Sequence, residues 1–143
     1  MNNFKYLLSN SRKFHHPEVA EILYKHNKLT KLVCGSPLFK FKDYNLPKDL
    51  IDTSYLINAL RYFIPNTSRT KFVHDYLNIL NVKNIDSHAS KYIYKTDVYI
   101  GLSKTGLETG KLIKKYNKIY VCERSSSHII FQNEILSEEY NHL

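Results

Sequence analysis

Phe4-Lys5-Tyr6-Leu7-Leu8, then Pro17-Glu18-Val19-Ala20-Glu21-Ile22-Leu23, then Leu29-Thr30-Lys31-Leu32-Val33-Cys34: these three runs spell strand, helix, strand. The first is apolar apart from Lys5 and ends in the polar turn Ser9-Asn10-Ser11. Pro17 suits a first helical position and Glu18 a first turn, while Val19, Ile22, Leu23 and His26 recur at the spacing of one helical face, with Asn27 as the stop. The third run closes at Gly35-Ser36-Pro37. A strand-helix-strand crossover is almost always right-handed and makes its two strands parallel.

Beyond this unit, residues 38 to 90 read as helical, with apolar faces at Leu50-Ile51, Tyr55-Leu56, Leu60, Phe63-Ile64 and again at Phe72-Val73, Tyr76-Leu77, Leu80. The alternation returns with Val98 to Leu102 as a strand, a helix capped by Ser103 or Thr105 and running to Tyr116, a strand from Lys118 to Cys122, and a last helix capped by Ser126 or Ser127. The expected fold is a single α/β, Rossmann-like three-layer domain over residues 1 to 143, with a mostly parallel sheet of at least four strands.

The 143 residues suffice for one core, and 43% hydrophobic with 24% charged residues is an ordinary globular balance. No apolar run approaches the ~20 residues of a membrane span, and no secretory signal is legible, so a cytoplasmic protein is expected. Cys34 and Cys122, each after Val in an apolar run, read as two buried thiols. A formal charge of +8 draws anions to the surface, but Lys and Arg are scattered from Lys5 to Arg124, which argues against a dedicated nucleic-acid arm.

Ligands of open parallel sheets sit at the carboxyl ends of the strands, which directs attention to residues 9–16, 35–37, 101–106 and 123–128. Glu123-Arg124-Ser125-Ser126-Ser127-His128 is the richest, setting a carboxylate, a guanidinium, hydroxyls and an imidazole where a helix N-terminus favours an anion. The first loop offers Arg12 and His15. Adjacent histidines are expected to diverge, so His15-His16 reads as no metal pair, and no metal site is expected. Gly101-Leu102-Ser103-Lys104-Thr105-Gly106 lacks the endings of a P-loop or a dinucleotide fingerprint, so it reads as a tight turn and no bound cofactor is expected.

The run from Thr96 to Lys111, with its Asp97 strand and small-residue turn, and the run Val121 to Tyr140, with Glu123-Arg124-Ser125-Ser126-Ser127-His128, Gln132 and Glu138-Glu139-Tyr140, resemble the N-terminal domain of family 4 (group 1) glycosyltransferases. The resemblance covers about the last third of the chain closely; the opening strand-helix-strand agrees in architecture alone. It implies the acceptor-side half of a two-domain GT-B enzyme that transfers sugar from a nucleotide-sugar donor, with retention and usually without metal. The acceptor would be a sugar or lipid-linked, and the basic surface is compatible with peripheral contact at the inner membrane face.

Arg124, Ser125 and His128, joined by Arg12, His15 and Ser103, are then the cleft residues. Two departures are Ser125, where the family commonly has Gly, and a first loop without Gly-Gly. The donor-binding domain lies outside these residues, so the 143 residues alone are expected to be inactive. A second chain carrying that domain would complete the enzyme and would dock on an exposed apolar patch. The alternatives are a basic nucleic-acid-binding domain and a non-catalytic partner subunit of a split transferase.

Overall fold

In the computed structural model the described residues are 3–65, 67–124 and 129–141. Five strands, β1 (Tyr6–Asn10), β2 (Leu29–Cys34), β3 (Ile51–Thr53), β4 (Val98–Leu102) and β5 (Ile119–Glu123), form one all-parallel sheet in the order β3-β2-β1-β4-β5. Helices α1 (His16–Lys25), α2 (Leu56–Phe63), α3 (Lys71–Ser90), α4 (Leu107–Lys115) and α5 (Ile129–Asn141) follow in chain order. The fold is α/β and Rossmann-like, as the opening strand-helix-strand implies. Its strand order reverses at β1, and the crevice between the carboxyl ends of β1 and β4 is the place where such sheets receive ligands.

Two cores follow from the alternation of side chains across the sheet. Leu8, Leu32 and Cys34 pack with Ala20 of α1, Phe41 and Ile51 on one face. Leu7, Val33 and Tyr99 pack with Ile85 and Ala89 of α3 and Ile113 of α4 on the other. Strand β1 is central and buried on both faces, which is why its last residues, Ser9 and Asn10, are fully enclosed although polar. Each is paired, Ser9 Oγ with Tyr99 Oη at 2.6 Å and Asn10 with His16.

Four local expectations are corrected. The first strand lies two residues later than its apolar run, because Ser9 and Asn10 find buried partners and extend the ladder. Within 38 to 90, expected to be helical throughout, Ile51–Thr53 form an edge strand against Leu32–Cys34. Three residues are too few to display a period of two. Neither Ser103 nor Thr105 caps α4: Gly106 holds the N-cap position without a side-chain bond. The helix-end N–H groups of Glu108 and Thr109 are instead taken by the Asp86 carboxylate of α3, at 2.8 and 3.0 Å.

The fourth correction is Cys122, which is exposed on the outer strand, whereas Cys34 is buried and its thiol is pushed above the ordinary range by that burial. Asn27 stops α1 as expected, taking the left-handed conformation at φ 55°, and Asn117 does the same after α4.

Burial is uneven along α3. Its C-terminal half carries the buried Asn81, Ile85, Asp86 and Ala89, while Phe72, Tyr76 and Ile79 nearer its start are exposed. Leu56, Leu60 and Phe63 of the neighbouring α2 are exposed too, as are Ile119 and Val121 on β5. No helix among the described residues is long and apolar enough to cross a membrane.

Candidate functional site: the carboxyl edge of the sheet

The loop after β1 divides between two sites. Arg12 and Lys13, both exposed, turn toward β2 and β3, and His15 and His16 turn toward β5. On the first side lies a cleft of about 730 Å³. Its walls come from Arg12 and Lys13, from Gly35-Ser36-Pro37 after β2, from Phe39 and Lys40, and from Tyr55, Asn58, Arg61, Tyr62 and Phe63 of the segment after β3, with His74 of α3. Arg12, Lys13, Lys40 and Arg61 are cations, and none of the lining residues is Asp or Glu.

Asn58 holds the cleft's floor together. Its Nδ2 donates to the Gly35 carbonyl at 2.7 Å and to the Ser11 carbonyl at 3.3 Å, which ties α2 to the loops after β2 and β1. A Cβ on Gly35 would meet the Ser11 oxygen at 2.4 Å, so the glycine is required by the close approach of two loops. Arg61, which lines the cleft, has its Nε buried without a hydrogen-bond partner.

At the other end of the edge, Glu123 ends β5 between two imidazoles. His15 Nε2 lies 2.5 Å from Glu123 Oε1, and His16 Nε2 lies 3.2 Å from Oε2. The rings are 4.9 Å apart and inclined by 34°. The expected divergence of adjacent histidines does not occur: His15 is the N-cap residue of α1, and its ring, like that of His16, reaches Glu123 at the end of β5. Asn10 braces His16 from behind, with Nδ2 2.9 Å from His16 Nδ1 and Oδ1 accepting the Arg12 N–H at 3.3 Å. In that orientation Asn10 donates to Nδ1, so the proton of a neutral His16 sits on Nε2.

Burial lowers the His16 pKa below its ordinary 6.5; the Glu123 charge pulls the other way, and a charged His15 would add to the lowering.

The candidate residues therefore separate. Arg12 lines the cationic cleft, and His15 joins Glu123 at the far corner. Arg124 is exposed directly after β5. Ser103 lies half-buried in the turn after β4, where its N–H donates to the Glu123 carbonyl at 2.7 Å and couples the two loops. Ser125 and His128, with the expected caps Ser126 and Ser127, lie outside the described residues.

Sequence reasoning missed His16, Asn10, Lys40, Asn58 and Arg61 as site residues. Asn10 and His16 lie in the loop the sequence marks, but Asn10 reads as a turn residue and His16 only as half of a rejected metal pair; Lys40, Asn58 and Arg61 give no signal, since they reach the cleft from elements whose packing is not local. The glycines of the 101–106 turn also have a structural cause: a Cβ at Gly101 or Gly106 would stand 2.8 or 2.4 Å from the Tyr99 hydroxyl, so the turn is shaped around that ring.

What fold and site define is a Rossmann-like α/β domain with a cationic, aromatic-lined cleft and a histidine–carboxylate corner on its carboxyl edge. No family model, curated protein or solved structure matches the chain.

Proposed function

We propose that this chain is the acceptor-side half of a retaining GT-B glycosyltransferase. It works when completed by a donor-binding domain that presents a nucleotide-sugar across the carboxyl edge of the sheet. The observation that carries the reading is the cleft over β1, β2 and β3, where four cations and no carboxylate surround Phe39, Tyr55, Tyr62 and Phe63. Such a lining takes an acceptor that bears a phosphate beside a sugar ring or apolar chain: the cations hold the anion, and the aromatic faces cover the rest.

The resemblance of residues 96–111 and 121–140 to family 4 glycosyltransferases supports the same reading, and it implies that Arg124, Ser125 and His128 contact the cleft, near the donor phosphates or the acceptor. A phosphate acceptor linked to lipid would bring the domain to the inner membrane face, toward which a +8 surface is drawn.

The test uses the purified chain with a panel of nucleotide-sugars and sugar-phosphate or isoprenyl-phosphate acceptors, alone and mixed with a polypeptide carrying a donor-binding domain. Transfer only in the mixture is expected, and Arg12→Ala or Arg61→Ala should weaken acceptor binding about 10- to 100-fold, the equivalent of one charge-assisted hydrogen bond. A cleft of cations and aromatics also suits single-stranded nucleic acid. Oligonucleotide binding lost in the same two variants, with no acceptor binding, would replace the transferase reading.

A further inference from the structure

We propose that His15, His16 and Glu123 form a binding site for a borderline divalent cation, for which Zn2+ is the probe. One donor atom from each, a ring nitrogen of both histidines and a carboxylate oxygen, all lie within 4.8 Å of one another, and in both rings Nε2 is the nitrogen that approaches Glu123. Ligands at about 2.0–2.1 Å in a tetrahedral zinc site are roughly 3.3 Å apart, so this set closes on a cation by small movements. Two imidazoles and one carboxylate are a donor set that zinc and its neighbours accept, with a fourth position left for water or substrate.

An independent observation singles out His16. It is 1% exposed, and its Nε2 has no hydrogen-bond partner although it lies 3.2 Å from Glu123 Oε2. A buried nitrogen close to a carboxylate, yet not aligned on it, is the arrangement expected where both are aimed at a third body between them.

Asn10 completes the site. A metal-ligating imidazole commonly donates its other N–H to an oxygen that fixes the ring, and Asn10 already stands 2.9 Å from His16 Nδ1. Binding asks for one rearrangement: the amide turns over, Oδ1 accepts Nδ1–H and Nε2 presents its lone pair, at the loss of the 3.3 Å contact with Arg12 N. The positive end of α1 opposes a cation here, and the Glu123 charge offsets it. The exposed His15 ring is free to adjust, so it supplies the mobile ligand and His16 the fixed one.

The site does not depend on the transferase reading, and its test is independent of activity. The full chain, stripped with a chelator, is titrated with Zn2+ by calorimetry and with Co2+ by visible absorption. One equivalent of Zn2+ per chain and Co2+ ligand-field bands are expected, both lost in His15→Ala and in Glu123→Gln. His15 is exposed, so His15→Ala keeps the fold, which thermal melting checks. Absence of stoichiometric binding, or binding retained in either variant through the other histidines and the exposed Cys122, would overturn the proposal.

Discussion

Above β4 and above β2–β3 the same sheet edge ends in opposite ways. Over β4, the Tyr99 ring fills the space between Gly101 and Gly106, its hydroxyl is held by Ser9, and Asp86 takes up the free N–H groups of α4, so these polar groups are spent inside the protein. Over β2 and β3, Gly35 lets two loops touch, α2 stands off on Asn58, and a cleft of about 730 Å³ opens with cations on its walls. One half has its polar groups paired inside the protein, and the other leaves its cations on the walls of an open cleft. Substitutions should therefore sort by half.

The largest effect is expected at Asp86→Ala, which leaves two helix N–H groups without their charged acceptor and should cost about 2–3 kcal/mol in denaturant unfolding. A loss under half a kcal/mol would mean that water replaces the cap. Tyr99→Phe comes next: the ring is kept, the Ser9 hydroxyl loses its buried partner, and about 1 kcal/mol should be lost.

A shallower effect is the pH dependence set by His16, whose pKa burial lowers from 6.5. The unfolded chain then binds this proton more readily than the folded one. Stability should be level above pH 6.5, fall as the pH drops through and below it, and level off again below the folded value. Glu123→Gln, by removing the opposing attraction, should deepen that fall, and a profile unchanged by the substitution would remove His16 as its source.

Smaller still, and of opposite sign, Lys104→Gly should raise stability by roughly 0.5–1 kcal/mol, since Lys104 sits at φ 80°, where glycine is at ease. Arg12→Ala and Lys40→Ala, exposed cations of the open half, should leave the melting midpoint nearly unchanged, within about 0.5 kcal/mol, whatever they do to anion binding. A large loss there would erase the contrast between the halves.

The parallel α/β character of this protein was written locally. Pro17, Glu18 and Asn27 punctuate α1, and Leu29–Cys34 and Val98–Leu102 are strands at the boundaries their composition marks. The interest of residues 9–16, 35–37 and 123 onward was equally legible, because turns after strands are local signals. Tertiary structure alone decided the strand order, the three-residue β3, the capping of α4 by a carboxylate 22 residues upstream of Glu108, and the division of one loop between Arg12 in the cleft and His15 against Glu123. The reason is common to all four: each rests on contacts between residues far apart in sequence, and the order of residues in a chain carries periodicity and punctuation but not the distance between a histidine at position 15 and a carboxylate at position 123.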